Sequence, residues 1–423
     1  MTTSVGDGVF AALVGQNDAV ETLTRAAAAA DDIVRAGVAD AATGGRADIS
    51  RADVNADPAA AGTTGAMTHA WLFTGPAGSG RSVAARAFAA ALQCADGGCG
   101  HCQACHTALT GTHADVRFVV PEGITIGVAE MRALVMRAQS APTLGRWQVL
   151  LVEDADRLTE QAGNALLKAI EEPPPRTVFL LCTPSTHPDD ISVTIRSRCR
   201  LVAMGQPSAE AVASVLMDRD GTDPERAAWA AAAAQGHVGR ARRLARDPQA
   251  RARRDAVLGI PRKLTGIGAC FDAASALIAA AEAEAAASVS EVDTTERAEL
   301  ETALGAGGTG KGSAGAMRGS AGVLKDLERR QKSRATRAQR DALDRALIDL
   351  AGFYRDVLVR RFDAPVAAVH ADMTEMAVTA AAKWTPESTL RRLQAIIECR
   401  EAIELNVKPR IAVESMMLSL WQG

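Results

Sequence analysis

Four of the eight cysteines in this 423-residue chain, Cys94, Cys99, Cys102 and Cys105, crowd into a dozen positions. Their spacing lets a compact loop close a thiolate tetrahedron around Zn²⁺, and Gly97, Gly98 and Gly100 allow that loop to fold tightly. With every ligand position filled by protein, no place remains for a reactive water, so the spacing predicts a structural metal. A redox dithiol is the competing reading. His101 and His106 are spare ligands that a full thiolate set does not need. A second constellation is Gly75-Pro76-Ala77-Gly78-Ser79-Gly80-Arg81-Ser82. Glycines at these places allow backbone N–H groups to wrap a phosphate where a helix begins. Arg81 stands where such a loop wants Lys, and a broad planar guanidinium does not replace a compact ammonium. Ser82 keeps a hydroxyl suited to magnesium. Nucleotide binding and a ligand-free structural turn both stay open on these residues.

Two further groups carry charge in telling places. Glu153-Asp154 closes the apolar run Trp147 to Val152. In a strand-end ATPase site an Asp helps hold magnesium and a neighbouring Glu orients the attacking water. Here the order is reversed. An Asp154 in the water-orienting position is about one C–C bond short, and a misplacement of about an ångström costs on the order of a hundredfold in rate. Independent hydrolysis is therefore not expected; the alternative is that Glu153, Asp154 and Asp156 are solvated loop acids. Ile195-Arg196-Ser197-Arg198-Cys199-Arg200 places three arginines in five residues. An arginine can stabilise charge developing on a transferring phosphoryl group in another molecule, or it can pair with surface carboxylates.

Positioning these groups requires strands alternating with helices. Ala70 to Thr74, Trp147 to Val152 and Thr177 to Cys182 read as buried strands, and Ser82 to Leu92 and Thr159 to Glu172 as helices, the second stopped by Pro173-Pro174-Pro175. That alternation predicts parallel βαβ units, whose ligands bind beyond the carboxyl ends of the strands. Val9 to Ala30 reads as a short loop and helix. Asp31 to Gly65 has no periodicity and almost no large apolar residue, and is expected to be a flexible insertion. After Met204 the pattern becomes helical, with a small unit over Ser208 to Asp247, further helix to Glu301, a Gly- and Ser-rich loop over 305–322, and helices from Leu324 to Trp421. The basic stretch Lys325 to Arg340 reads as a solvated helix face, contact with DNA or a polymerase partner being the alternative.

Composition limits the function further. Hydrophobic residues make up 48% and charged residues 23%, as in folded globular proteins, while aromatics are only 3%, which favours close-packed, alanine-rich helices. Lys plus Arg total 47 against 50 Asp plus Glu, so the chain is not a polycation that coats nucleic acid by charge alone. Neither a basic-then-apolar N-terminus nor a run of about twenty apolar residues is evident, and a cytoplasmic protein is expected.

Val14-Gly15-Gln16, Gly80-Arg81-Ser82, the cysteine tetrad, Asn164-Ala165-Leu166-Leu167-Lys168, Glu171-Glu172-Pro173 and Ser197-Arg198-Cys199 together resemble the bacterial clamp-loader family of the AAA+ class. The tail Arg400 to Arg410 is similar to the end of that family's collar domain. The resemblance implies a RecA-like α/β P-loop domain with a parallel sheet and an inserted zinc module over 1–205, a small helical lid over 206–255, and an all-α collar over 256–423. It further implies a structural Zn²⁺ on Cys94, Cys99, Cys102 and Cys105. Any ATP and Mg²⁺ would meet Gly75, Gly78, Gly80, Arg81, Ser82, Glu153, Asp154, Thr183 as a first sensor and Arg240 as a second. Arg198 would be an arginine finger serving a neighbour's ATP. Implied partners are delta and gamma/tau subunits in a five-membered ring, with the sliding clamp and primed DNA reached through the complex. Polymerase activity would belong to the DNA polymerase III holoenzyme and not to this chain; an active ATPase motor of the same complex is the alternative.

Overall fold

The computed structural model describes residues 8–42, 66–121, 123–143, 145–303 and 313–423. Contacts divide the chain into two compact units, the first running to Ala241 and the second comprising Arg242–Gly423 together with the short segment Glu122–Ile124. In the first, a 3₁₀ turn over Gly8–Ala12 leads into α1 (Asn17–Ala42). There follow β1 (Ala70–Thr74), α2 (Arg81–Gln93), α3 (Gln103–Thr110), β2 (Val116–Val119), α4 (Val128–Ala138), β3 (Gln148–Val152), α5 (Glu160–Glu171), β4 (Thr177–Thr183), α6 (Val193–Arg196) and β5 (Arg200–Ala203). The small helices α7 (Ala209–Asp220), α8 (Pro224–Ala233) and the start of α9 (Val238–Arg246) complete it.

All five strands are parallel, in the order β2-β3-β4-β1-β5. This is a RecA-like sheet, and each strand's alternation serves two faces. Trp71, Phe73, Val149, Leu151, Val178 and Leu180 pack on the side that also buries α1 and the alanine-rich α2. Leu72, Leu150, Phe179 and Leu181 pack on the other side with Met131 and Leu134 of α4 and Leu166 and Ile170 of α5. The small side chains Ala84, Ala87 and Ala91 let α2 approach closely, and Phe88 meets Trp71 edge-on with ring centroids 5.0 Å apart. Side-chain caps start the helices: Thr159 accepts from the N–H of Ala162 ahead of α5, and Ser208 from that of Ala211 ahead of α7. The flanking strands β2 and β5 were not foreseen; they are four residues long and only partly buried.

The expected insertion over 31–65 is corrected in its first third. Helix α1 continues to Ala42, Ile33 and Val34 pack against the core, and Arg35 pairs with Asp31 one turn earlier at 2.7 Å. Alanine propensity and i,i+4 pairing sustain a helix here without a long apolar run; residues 43–65 lie outside the described ones.

The second unit is entirely helical: α10 (Pro248–Leu258), α11 (Ile260–Lys263), α12 (Ile267–Ala303), α13 (Ser313–Arg361), α14 (Thr374–Lys383), α15 (Pro386–Glu404) and α16 (Pro409–Gln422). The expected 206–255 helical lid is thus divided, α10 belonging with the second unit. The expected loop over 305–322 is also corrected, since 313–322 is already helical. Glycine costs about 1 kcal/mol per position in a helix, but extending a long helix avoids the cost of a new nucleus; residues 304–312 lie outside the described ones. Leu343, Leu347, Leu350, Phe353, Tyr354 and Val357 of α13 form the spine of this core against Ile396, Val413, Met416 and Met417. Along their outer halves α12 and α13 run antiparallel and are joined by charge. Arg334 reaches Asp293 at 2.7 Å and Glu296 at 2.9 Å, and Arg297 reaches Glu328 at 3.0 Å. The basic stretch 325–340 therefore faces α12 at Arg334 instead of facing only solvent.

One buried polar cluster holds the loop before α14. Arg254 forks onto Asp372 at 2.5 and 2.9 Å and reaches His370 Nδ1 at 2.9 Å, while His370 Nε2 lies 3.0 Å from the Asp349 carbonyl. With Arg254 a donor only, Nδ1 accepts and Nε2–H donates, so the ring is neutral. Burial, followed by the adjacent Arg254 charge, lowers the His370 pKa below 6.5. Stability from this site is full above the unfolded value and is lost as pH falls below it toward the lower folded value. The thermal midpoint of the second unit is expected to drop between about pH 7.5 and about pH 5.5 in proportion to this linkage, and His370→Gln is expected to flatten that slope. Equal slopes for the two chains would contradict the assignment.

Candidate functional site

The polarity of the sheet sorts the candidate residues into two groups. At the carboxyl ends of the strands, β1 runs directly into the glycine-rich loop. Gly78 has φ +85°, and a Cβ there would come within 2.6 Å of His237. Gly80 caps α2 in the left-handed region at φ 92°. Only glycine meets both demands without strain. The buried Gln16 ties the loop down, donating to the Ser79 carbonyl at 3.1 Å and the Gly205 carbonyl at 2.6 Å.

Within this frame the loop's polar groups are largely engaged with one another. The Arg81 guanidinium folds back onto the Gly75 carbonyl at 2.8 Å. Ser82 hydrogen-bonds the buried Cys182 thiol, whose pKa burial pushes far up. Glu153, at the end of β3, is held by Arg86 of α2 at 2.7 and 2.9 Å, and Arg86 lies 4.3 Å over the Phe118 ring. Asp154 adopts φ 51°. Next to it, burial and then the Asp154 charge raise the Asp156 carboxyl to about 6, and its Oδ1 has no hydrogen-bond partner among the described residues. Thr183 ends β4 beside Thr74, buried, its hydroxyl donating to the Ser185 carbonyl at 2.8 Å. The backbone N–H of Arg240 donates to His237 Nδ1 at 3.3 Å, so Arg240 sits one turn along from the side chain that covers Gly78. The loop residues, Glu153, Asp154, Thr183 and the Arg240 segment are thus gathered at the carboxyl end of the sheet. Sequence reasoning missed Arg86 and the part played by His237, and read Asp156 only as a solvated loop acid, where the structure half-buries it; Arg86 lies 67 residues from Glu153, and nothing local marks it.

The opposite, amino end of the sheet carries Arg198. Arg200 is paired with Trp71 in β5, and β5 runs parallel to β1. Gly75 lies four residues beyond that level toward the carboxyl end, about 13 Å at about 3.3 Å per strand residue, and Arg198 lies on the other side of it, in the turn that precedes β5. The chain's own loop is therefore out of reach of this side chain. Ser192 caps the single turn of α6, and buried Ile195 anchors it. Burial pushes the neighbouring Cys199 thiol up to about 12, which makes it an inert packing group.

The cysteines form a third site, between α2 and α3. Their four sulfurs lie within 4.8 Å of one another, with Cys94 3.6 Å from Cys99 and 3.8 Å from Cys102. A tetrahedron with metal–sulfur bonds of about 2.3 Å has edges of about 3.8 Å, so the set fits a metal such as zinc. Burial opposes a charged Cys94, but backbone N–H groups of Cys99, Gly98 and Asp96 donate to its sulfur and draw its pKa down to about 6. Burial pushes Cys105 the other way, and a bound cation would supply the compensating charge. The loop is stitched to its surroundings: Val9 donates to the Gly98 carbonyl at 3.0 Å, and Arg146 donates to the Cys94 carbonyl at 2.8 Å while also pairing with Asp31.

Comparison with known proteins places this arrangement. A family model described as DNA polymerase III, delta subunit, matches residues 59–208. This part of the chain belongs to the bacterial clamp-loader family of DNA polymerase III. A delta' subunit from Pseudomonas aeruginosa is 41% identical over 149 residues, covering 34% of this chain and 45% of that relative. The tau subunit from Bacillus subtilis is 35% identical over 150 residues, covering 34% of this chain and 26% of its own length. A gamma/tau subunit from Mycobacterium tuberculosis is 36% identical over 155 residues, covering 36% and 26%. This chain spans less than half the length of each of these relatives. Among the described residues, no helix is long and apolar enough to cross a membrane.

Removing a metal held by these four cysteines is expected to act locally. Chelation, or Cys102→Ser, should abolish bound metal by elemental analysis and speed amide exchange over 94–111 and over the Gly8–Ala12 turn. The central strands β1, β3 and β4 should keep their protection. Unchanged exchange at Gly8–Ala12 would refute the stitching.

Proposed function

We propose that this chain is a delta'-type clamp-loader subunit of DNA polymerase III, a cytoplasmic protein that helps load the sliding clamp onto primed DNA. It hydrolyses little or no ATP itself and lends Arg198 to the nucleotide site of the adjoining subunit. The observation that carries this reading is the placement of Arg198 at the end of the sheet opposite the chain's own loop. An arginine so placed can stabilise phosphoryl-transfer charge only in another molecule.

The state of the loop supports the other half of the reading. Bound ATP and Mg²⁺ would bring a cleavable phosphoanhydride and a charge-neutralising cation. To receive them, Arg81 would have to leave the Gly75 carbonyl and Glu153 would have to leave Arg86. Asp154 carries the shorter side chain where a longer carboxylate is wanted. The cysteine set is assigned to a structural Zn²⁺ that fixes the 94–105 loop. Its partners would be the delta and gamma/tau subunits of a five-membered ring. The reading of an active motor is disfavoured by the Arg81 and Glu153 contacts.

Two measurements test the proposal. In the reconstituted complex, Arg198→Ala is expected to lower DNA-stimulated turnover at the one site it serves on the order of a hundredfold, the usual cost of removing one preorganised stabilising group. The purified chain alone is expected to show no turnover above background. Vigorous turnover by the isolated chain, removed by Asp154→Ala, would identify a motor subunit instead.

A further inference from the structure

Arg198 is already paired within its own chain. Its NH2 group lies 2.8 Å from Glu171 Oε1, and its NH1 group donates to the Thr194 carbonyl at 3.0 Å and the Ser197 hydroxyl at 3.3 Å. Both partners of the ion pair are open to solvent, at 39% and 40% side-chain exposure, so a group from outside can reach either. Glu171 is the last residue of α5, where the unpaired carbonyls of a helix end add negative potential to the carboxylate. Glu172 and Pro173-Pro174-Pro175 stop the helix at that point, and the α6 turn behind Arg198 is anchored by Ile195. Two fixed supports thus hold the guanidinium against one carboxylate and two neutral oxygens.

We propose that Glu171 is a latch: it holds Arg198 on its own chain and competes for it with the phosphate oxygens of a nucleoside triphosphate bound by the adjoining subunit. This rests on the reading of Arg198 given above and adds its regulation. Exchange of one carboxylate for a terminal phosphate leaves the guanidinium paired in both states, because a planar carboxylate and a tetrahedral phosphate each offer anionic oxygens to the same N–H donors. The latch therefore sets how readily the neighbouring site captures nucleotide. It leaves the chemical step unaltered, because once exchange has occurred Glu171 no longer touches Arg198. Glu171 is accordingly a positioning residue, acting through Arg198.

The test is a cycle of variants in the reconstituted complex, with ATP turnover measured against ATP concentration in the presence of primed DNA. Glu171→Gln keeps the side chain's size and removes its charge. It is expected to lower KM by about two- to fivefold, the range spanned by exposed ion pairs, with kcat held, the signature of a change in uniform binding. In an Arg198→Ala background the same substitution is expected to change nothing. Three outcomes would overturn the latch. The first is a Glu171→Gln complex with wild-type KM while Arg198→Ala remains damaging, which removes the latch and spares the trans arginine. The second is a KM shift that persists without Arg198, which assigns Glu171 to another route. The third is a harmless Arg198→Ala, which removes the underlying reading and the latch together.

Discussion

The common direction of five strands is the constraint on which the rest depends. A parallel sheet has two chemically different ends, and crossover helices keep both faces dry, so every loop must emerge at one end or the other. The glycine-rich loop, the acidic turn after β3 and Thr183 follow strands and share the carboxyl end; Arg198 and Glu171 precede strands and share the amino end. No side-chain rearrangement can exchange the two groups, because the buried centre of the sheet lies between them. Completing a phosphoryl-transfer site with Arg198, as proposed, would take a second molecule set head to tail with this one, the geometry of a heterologous interface.

At the carboxyl end, groups that would handle phosphate and metal are engaged with one another. Arg81 satisfies a loop carbonyl, Arg86 neutralises Glu153, and His237 occupies the space beside Gly78. Each contact is modest by itself, but together they leave a self-consistent loop with little unmet demand for an anion. The cysteine loop is the opposite case. Four sulfurs converge, one of them drawn toward the thiolate by three backbone N–H groups, in an arrangement that could hold a cation.

Those parts of the structure set by local chemistry were legible in the sequence. Strands β1, β3 and β4 are buried along their whole length and so read as continuous apolar runs. The cysteine tetrad was legible because its spacing is itself the geometry. Strands β2 and β5 were not, because four partly exposed residues such as Arg200 to Ala203 leave too short a pattern to distinguish from a loop. The continuation of α1 past Asp31 rests on an i,i+4 pair and on the contact of Asp31 with Arg146, 115 residues away. The Arg86–Glu153 and Arg198–Glu171 pairs are likewise made by the fold. Many arginines could serve either carboxylate in a linear string, and only the folded chain selects one.

The paired helices α12 and α13 carry a different implication. At 37 and 49 residues they would measure about 55 and about 75 Å at about 1.5 Å rise per residue, well beyond the core that anchors their inner halves. Near that core they are joined by Leu343, Leu347 and Ala281, contacts indifferent to ions, and there too Arg345 pairs with Glu284. Farther along, Leu327 is buried, and Arg334 with Asp293 and Glu296, and Arg297 with Glu328, add bonds that mobile salt screens. The seam is therefore a composite along its length, an apolar part that the electrolyte leaves alone and an ionic part whose hold on the two helices weakens as salt rises.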